Sequence, residues 1–323
     1  MQDIIRYAEE TLVRRLMELD INPQAASETK RQFMMALLAN AARMDACKEA
    51  PFVQAIPESR RLFDLLALHF VTDVKVTGLE NVARALQFMA NGGNVLLVSN
   101  HTSGADTLVL DYVVNKTFNN AAHDWIYMAG HVVNYYLVPM TMSGGIHRVQ
   151  IFSAKYCQQA TTEERQRMKQ NNMRALMSIA PQIIEGGKCV VLYPEGGRGE
   201  GSLLAGEPRT MKIPQLMAEA SPNGLMVLPS YVEATSILPV VRGSNEFNEF
   251  LEHIQPGKAT LSLGPGVMWD DLQPNKNEIH RFLERNGDEC LNDHRHALKC
   301  CLIKKCMRMI ATMMPQTARG PHA

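Results

Sequence analysis

A histidine and an aspartate a few positions apart are the side chains in this sequence best suited to chemistry. His101 follows the apolar run VLLVS at 95–99, and Asp106 opens a second apolar stretch. Histidine exchanges a proton near neutral pH, and an ionised aspartate can hold one imidazole nitrogen while the other accepts a proton from a hydroxyl. We therefore predict that His101 is a general base oriented by Asp106, with Asn100 in a positioning role.

Each member of the pair also has an ordinary structural explanation. Ser103 followed three residues later by Asp106 is a capping-box pattern, which predicts Asp106 at the third position of a helix. A histidine in a loop needs no role at all. Function is favoured because the two residues follow a predicted buried strand, and ligands of α/β sheets bind beyond the carboxyl ends of strands. Ser103 is a weaker candidate as a nucleophile, since it lacks the G-x-S-x-G turn.

Three downstream segments combine glycine or proline with charged residues next to predicted strands. Their candidate residues are Gly144, Gly145, Arg148 and Lys155, then Pro194, Glu195, Gly196 and Arg198, and finally Pro229. Glycines let a backbone approach a ligand closely, and Arg and Lys bind anions. The cations next to glycines or strand ends are the candidate anion contacts, and the other residues have positioning roles. Taken singly, each cation is more simply a solvated side chain.

The charge balance fits a small anionic substrate better than a nucleic acid. The 323 residues contain 33 Lys plus Arg and 33 Asp plus Glu, so the net charge is zero. That balance argues against a dedicated nucleic-acid binder. Residues 141–212 nevertheless hold ten basic against six acidic residues. Four of those cations belong to a helix predicted at 162–185, for which Thr161 and Glu164 form a capping box, and we interpret them as its solvated face.

The elements around these motifs predict an α/β protein. Residues 3 to 69 carry apolar stripes at helical spacing and no β-type alternation. From residue 73 onward, short apolar runs alternate with helical stretches, which is typical of a parallel sheet buried on both faces. We predict a mixed, largely parallel central sheet flanked by helices. A small helical N-terminal domain would cover 1–72 and the α/β domain 73–323.

Composition indicates the compartment. Apolar residues make up 46% of the chain and charged residues 20%, as in a globular protein with a sizeable core. No apolar run approaches the roughly 20 residues that span a bilayer, and the first residues do not form a secretory signal. We expect a reduced, cytosolic-type soluble protein. The Cys and His residues crowded at 290–306 could ligate zinc, but their spacing matches no recognised finger, and small apolar positions on a helix explain them better.

Together the four segments resemble the glycerolipid acyltransferase superfamily. The N-H-x4-D motif is matched at 100–106, a G-x-x-x-R-like segment at 144–148, P-E-G-x-R at 194–198, and an apolar strand with proline at 228–229. The helical N-terminal segment and the stretch at 151–155 are similar to the plant-chloroplast and bacterial type of glycerol-3-phosphate acyltransferase.

The resemblance implies an enzyme that moves an acyl chain from a thioester of acyl carrier protein or coenzyme A to the sn-1 hydroxyl of glycerol 3-phosphate. The product would be lysophosphatidic acid. It implies that His101 is the base and Asp106 its orienting acid, with no covalent intermediate, no metal and no further cofactor. It also implies that Lys155, Arg198 and Arg148 hold the substrate phosphate.

Two departures from the family pattern leave alternatives open. Tyr156 and Glu200 stand where the chloroplast enzymes have basic residues. The same chemistry on lysophosphatidic acid is the nearest alternative, and a non-catalytic acyl-carrier or lipid-binding protein on this fold is another. We expect a cytoplasmic or plastid-stroma-like location and no nucleic-acid partner, with peripheral contact to a membrane surface as an open alternative.

Overall fold

A largely parallel sheet with helices on both faces is the frame of the protein, which confirms the predicted fold class. The computed structural model describes residues 2–19, 21–195, 206–239, 249–286 and 294–314. None of the helices within these ranges is long and apolar enough to cross a membrane.

The described ranges contain α-helices before, between and after the strands. In chain order these are α1 (Gln2–Glu18), α2 (Pro23–Lys48), α3 (Pro57–Phe70), α4 (Leu79–Ala90), α5 (Asp106–Thr117), α6 (Leu137–Ser143), α7 (Ala154–Gln159), α8 (Thr162–Glu185), α9 (Lys212–Ala220), α10 (Glu249–His253), α11 (Trp269–Leu272), α12 (Lys276–Asn286) and α13 (His294–Met313). Short 3₁₀ turns lie at Ala121–Asp124, His131–Asn134 and Pro208–Met211.

The strands form one sheet in the order β1-β5-β4-β6-β3-β7-β8-β2, and β9 pairs with β7. Their bounds are β1 (Phe52–Val53), β2 (Val71–Thr77), β3 (Asn94–Ser99), β4 (Ile126–Gly130), β5 (His147–Ile151), β6 (Cys189–Leu192), β7 (Leu225–Glu233), β8 (Gly257–Leu263) and β9 (Val267–Met268). Strands β5, β4, β6, β3 and β7 are mutually parallel. Strand β1 pairs antiparallel with β5, β8 and β9 pair antiparallel with β7, and β2 pairs parallel with β8.

The central strands are apolar along their whole length because helices cover both faces of the sheet. Every residue of β3 and of β6 is buried. Successive side chains of a strand point to opposite faces, so Val95 and Leu97 join one core layer while Leu96 and Val98 join the other. This arrangement explains the near-continuous apolar runs that predicted a parallel sheet.

The N-terminal helices pack directly on the sheet. Leu12, Phe33 and Leu62 are buried in the same core cluster as Val95 of β3. The expectation of helices alone over 3–69 is wrong at Phe52–Val53, where two residues pair with β5 as an edge strand. A strand this short is too brief for an alternating pattern to show in the sequence. The boundary at residue 72 stays a prediction, and the core runs across it.

Helix α8 begins and ends at the signals that its sequence carries. The Thr161 hydroxyl accepts a hydrogen bond from the N–H of Glu164, and the Glu164 carboxylate accepts one from the N–H of Thr161, so the predicted capping box is confirmed. At the other end Gly186 has a φ of 82°, and a Cβ there would lie 2.2 Å from the carbonyl oxygen of Gly92. Only glycine fits such a position.

Candidate active site

The carboxyl ends of the parallel strands meet at one edge of the sheet, where ligands of α/β proteins bind. His101 follows β3 closely, and Tyr193 and Glu195 follow β6. Because β6 lies directly beside β3, the fold brings the N-H-x4-D segment next to the Pro-Glu-Gly segment. We call this part of the edge the His101 site.

Asn100 continues the pairing of β3 with β7 through its side chain. Its Nδ2 donates to the carbonyl of Val232 and its Oδ1 accepts from the N–H of Val232, both at 2.7 Å. A side-chain amide carries one donor group and one acceptor, as a peptide does. The fully buried Asn100 therefore ties the turn that presents His101 to the sheet. The predicted positioning role would act in this way, on the turn.

Asp106 receives three groups on one carboxylate oxygen. Its Oδ2 accepts hydrogen bonds from the N–H of Thr102 at 2.7 Å and of Ser103 at 2.8 Å, and it lies 3.2 Å from Nδ1 of His101. The His101 side chain is 22% exposed, and no hydrogen bond among the described residues uses its Nε2. An imidazole that donates from Nδ1 keeps its lone pair on Nε2. The pair thus has the geometry of an oriented base.

The capping-box interpretation of this turn is wrong, because helix α5 begins at Asp106 and not two residues before it. Asp106 is the first residue of α5, with Ala105 at the N-cap and no side-chain cap. The Ser103 hydroxyl instead donates to the carbonyl of Leu238 at 2.8 Å and accepts from the N–H of Ala105 at 3.1 Å. The first turn of α5 still places the Asp106 carboxylate at the positive end of a helix dipole.

No described cation neutralises Asp106. The residue is fully buried, and its Oδ1 has no hydrogen-bond partner among the described residues. Burial raises the pKa of Asp106, while the contacts with His101 and with the N–H groups of Ser103 and Thr102 lower it. The charge of this carboxylate is therefore held by dipoles and by an imidazole that can itself become positive.

Two residues after β6 complete the surroundings of His101. The Tyr193 ring stacks on the imidazole with centroids 4.3 Å apart, and its hydroxyl lies 2.7 Å from Oγ1 of Thr107. Glu195 accepts a hydrogen bond from the N–H of His101 at 3.3 Å. Burial raises the pKa of Glu195 to about 7, so this carboxyl group can carry a proton near neutral pH.

Unpartnered polar atoms concentrate around the same turn. Within the described residues, the buried side-chain atoms that lack a hydrogen bond here are Oγ of Ser99, Oγ1 of Thr102, Oδ1 of Asp106, Oε2 of Glu195 and Oγ of Ser230. Ser99 and Ser230 are register partners on β3 and β7. Buried polar atoms are normally hydrogen-bonded, so this concentration marks a place for water or for the polar atoms of a ligand.

Comparison with known proteins gives the family. A family model described as acyltransferase matches residues 73–241, just over half of the chain. The chain belongs to the acyltransferase family. This finding confirms the resemblance predicted from the four segments.

Two chloroplast proteins are similar to part of this acyltransferase-family chain. The chain is 29% identical to "Glycerol-3-phosphate acyltransferase, chloroplastic" of Spinacia oleracea over 119 aligned residues. The aligned residues cover 37% of this chain and 25% of that protein. The chain is 28% identical over 116 residues to "Glycerol-3-phosphate acyltransferase ATS11, chloroplastic" of Cucurbita moschata, which covers 36% of this chain and 26% of that protein. The matched stretch thus spans about a quarter of the length of each relative.

The structure does not bring the second family-like segment to His101. Gly145 packs against α3, where a Cβ would lie 2.9 Å from the carbonyl oxygen of Ser59, so the glycine serves helix contact. Arg148 is 1% exposed and donates to Asn134 and to the carbonyl of Ser143. Burial lowers the pKa of Arg148 to about 10. Its strand lies three positions from β3, about 14 Å at ordinary strand spacing.

The structure describes the remaining predicted residues to different extents. Gly196 and Arg198 lie outside the described residues, and for Lys155 the structure describes only the backbone, in the first turn of α7. Pro229 is buried in β7 beside Val98 of β3.

Pro229 lies where a strand can tolerate the missing N–H. The carbonyl of Pro229 accepts a hydrogen bond from the N–H of Gly264. The backbone hydrogen-bonding groups of Pro229 therefore point away from β3. On that side β9 pairs only to Val227 and β8 pairs from Ser230 onward. The proline therefore occupies a gap in the pairing and removes no ladder bond to β3.

The described part of the cysteine-rich C-terminal segment shows no metal site. Within the described residues, no group of three or more His, Cys, Asp or Glu side chains is placed to hold a metal ion. Cys300, Cys301 and Cys306 are buried in α13, and Cys300 Sγ lies 3.4 Å from Nε2 of His296. Cys290 lies outside the described residues. Packing as small apolar residues accounts for the three described cysteines.

Sequence reasoning missed Tyr193, which stacks on His101, and the two buried hydroxyls of Ser99 and Ser230. Tyr193 directly precedes the Pro-Glu-Gly motif, and that position at the end of an apolar strand is the signal that could have found it. Ser99 is the last residue of β3 and Ser230 lies beside it within β7, and nothing in either strand alone marks them.

Proposed function

We propose that this acyltransferase-family chain transfers an acyl group from a thioester to the sn-1 hydroxyl of glycerol 3-phosphate. The observation that carries the proposal is the imidazole of His101, held through Nδ1 by the buried Asp106 at 3.2 Å, at the carboxyl end of β3. The two partly similar relatives, whose printed names are glycerol-3-phosphate acyltransferases, support the choice of acceptor.

The chemical step would proceed without a covalent enzyme intermediate. Nε2 of His101 takes the proton of the acceptor hydroxyl as its oxygen bonds to the thioester carbonyl carbon. The tetrahedral intermediate then collapses, the carbon–sulfur bond breaks, and the imidazolium returns its proton to the departing sulfur. An ester and a free thiol result. Asp106 holds the imidazole tautomer throughout and stabilises its transient positive charge.

The polar atoms near His101 would serve the acceptor. Oε2 of Glu195 and the hydroxyls of Ser99 and Ser230 are buried and lack hydrogen-bond partners among the described residues, as groups that meet a polyol would. Lys155 and Arg198 stay proposals for the acceptor phosphate. Arg148 is not included, because its guanidinium is already committed to Asn134 and Ser143.

A direct assay tests the proposal. Purified protein would be given glycerol 3-phosphate with the same acyl chain on acyl carrier protein and on coenzyme A, with lysophosphatidic acid as a competing acceptor. We expect 1-acylglycerol 3-phosphate as product. The His101→Ala variant should lose activity by about 10²- to 10⁴-fold, as expected for a general base.

The matched control is His280→Ala, whose side chain is 73% exposed on α12 and should leave the rate unchanged. Normal acylation by the His101→Ala protein would refute the mechanism. A preference for lysophosphatidic acid would overturn the acceptor and leave the base in place. Binding of acyl thioester without turnover, equal in wild type and His101→Ala, would favour the non-catalytic alternative.

A further inference from the structure

A polar cleft lies at the outer end of the carboxyl edge, beyond β5. The end of α2 forms one wall with Lys48 and Glu49, and α8 forms the other with Asn171 and Arg174. Phe152, which follows β5, lies between these walls. We call this feature the β5 cleft. The mechanism proposed above makes no use of it.

Basic groups outnumber acidic ones around the β5 cleft. Lys48 and Arg174 line the cleft against the single acid Glu49, and Arg167 and Lys48 both lower the pKa of the nearby Tyr135 hydroxyl, which burial and Glu49 raise. Arg167 and Arg174 enter no ion pair among the described residues. Lys48 contacts Asp45 at 2.9 Å, but that carboxylate is 97% exposed, and such pairs hold a side chain weakly. The cleft is thus suited to an anion.

The base of the β5 cleft is already ordered. The amide of Asn172 accepts from the N–H of Phe152 at 2.7 Å and donates to its carbonyl at 2.9 Å, which fixes the end of β5 to α8. Gln150 donates to the carbonyl of Lys48 at 3.0 Å and accepts from Asn134 at 2.8 Å, which fixes the end of α2 to β5. A preformed cleft loses little entropy when it binds a ligand.

Aromatic rings lie along the edge between the β5 cleft and the His101 site. The His131 ring, which follows β4, lies 4.2 Å from the Phe152 ring and 4.2 Å from the Tyr156 ring. Strand β4 lies between β5 and β6 in the sheet, and Tyr193 after β6 stacks on His101. Tyr156, which is 45% exposed, therefore presents an apolar ring face with a polar edge beside the cleft, and the buried His131 packs against it.

We propose that the β5 cleft binds the phosphate of the phosphopantetheine arm of the acyl donor through Lys48 and Arg174. The arm would lie along the rings, with its sulfur at His101. This inference depends on the proposed function, since it assigns a place to the thioester of that reaction. Acyl carrier protein and coenzyme A share this arm and its phosphate, so one cleft serves either donor.

Distance separates the donor phosphate from that of the acceptor. Strand β5 lies three positions from β3, about 14 Å at ordinary spacing, and the cleft lies beyond it. In glycerol 3-phosphate only a three-carbon chain joins the phosphate to the reacting hydroxyl, so that molecule cannot reach from His101 to Lys48 and Arg174 on the walls of the cleft. A pantetheine arm is long enough, and its amides and methyl groups suit ring faces and edges.

The test compares two small donors that differ only in the phosphate, S-acyl-4′-phosphopantetheine and S-acyl-pantetheine. The wild type should show a KM about tenfold lower for the phosphorylated donor, the loss expected when charge-assisted hydrogen bonds are removed. Lys48→Gln and Arg174→Gln should raise the KM for that donor toward the value for S-acyl-pantetheine. The KM for glycerol 3-phosphate should not change.

Lys169→Gln is the matched control. Lys169 is exposed on α8, the helix that carries Arg174, but it does not line the cleft. Its charge instead lowers the pKa of Cys157. Equal KM values of the wild type for the two small donors would overturn the proposal. So would cleft variants that weaken only the acyl carrier protein thioester, because the cleft would then contact the acidic surface of that protein. A raised KM for glycerol 3-phosphate would assign the cleft to the acceptor.

A binding measurement separates this inference from the proposed function. Calorimetric titration of each protein with 4′-phosphopantetheine alone needs no turnover. Binding by the wild type that Arg174→Gln loses and Lys169→Gln keeps would support the cleft even if glycerol 3-phosphate proved to be the wrong acceptor. Equal binding by the Arg174→Gln protein would overturn the cleft even if glycerol 3-phosphate were acylated normally.

Discussion

Helix α5 carries two fully buried carboxylates five residues apart, and their surroundings differ in kind. Asp106 meets two backbone N–H groups and the imidazole of His101, and one of its oxygens stays unpartnered among the described residues. Asp111 meets the guanidinium of Arg60 through both oxygens, at 3.1 Å and 2.5 Å, and also the amide of Asn115 at 2.7 Å.

The difference separates a structural charge from a functional one. Burial raises the pKa of Asp111 and its contact with Arg60 lowers it, while the hydrogen bonds with Asp111 and Asp64 raise the pKa of Arg60 against the effect of burial. The guanidinium therefore stays charged and compensates the buried carboxylate. Both oxygens of Asp111 are occupied by hydrogen bonds, so this carboxylate is not available to orient a catalytic group. Asp106 is balanced by a group that changes its own charge, which is what a catalytic cycle with a transient imidazolium requires.

Replacing each aspartate by asparagine should produce the largest contrast. Asp106→Asn presents an N–H where Nδ1 of His101 needs an acceptor, so we expect kcat to fall by about 10³- to 10⁴-fold with little loss of stability. Asp111→Asn removes the partner of a buried cation and should lower the free energy of unfolding by about 3 kcal/mol. Its kcat per folded molecule should stay near the wild-type value.

Steady-state kinetics and urea unfolding of both variants measure this contrast. The comparison breaks if Asp111→Asn loses activity while it remains folded, because Asp111 would then act on the reaction. It also breaks if Asp106→Asn unfolds the protein and shows no separate loss of kcat.

The Arg60 side of the ion pair gives a second effect, on stability alone. Arg60→Met leaves Asp111 buried and uncompensated, and should lower the free energy of unfolding by about 3 kcal/mol or more. The double variant Arg60→Met with Asp111→Leu should recover most of this loss, since an apolar pair of similar volume can often replace a buried ion pair without loss of stability.

Asp64→Asn is the control, because that carboxylate is 52% exposed and its contact with Arg60 should contribute less than about 1 kcal/mol. A double variant no more stable than Arg60→Met would refute the pairing argument.

These two carboxylates also show what sequence can and cannot predict. Asp106 was predictable because its histidine is five residues away, after a run that reads as a buried strand. The partner of Asp111 is 51 residues away on an amphipathic helix, where a lone arginine looks like a solvated side chain. Local periodicity carries no information about such a pair.

The position of the second family-like segment was not predictable for a related reason. Arg148 follows its glycines at the expected spacing, but sheet order is a long-range property, and it places β5 three strands away from β3. The alternation of strands and helices therefore predicted the fold class and the carboxyl edge. Which strand ends lie side by side there depends on contacts between distant segments.

Glu195 is a third carboxyl group and sharpens the comparison, because among the described residues no cation forms an ion pair with it, and burial raises its pKa more than His101 lowers it. Burial raises its pKa from 4.5 to about 7. Since the folded state then binds this proton more tightly than the unfolded state, the wild type loses stability as pH rises from about 4.5 through about 7.

Glu195→Gln stays neutral, so its stability lacks this dependence on pH. Relative to wild type it should gain about 2 kcal/mol in free energy of unfolding between about pH 5 and about pH 8. Urea unfolding at both pH values measures the change, with the exposed Glu219→Gln as the control. A difference between Glu195→Gln and wild type that stays constant across this range would mean that Glu195 is ionised throughout, held by a cation in the way that Asp111 is.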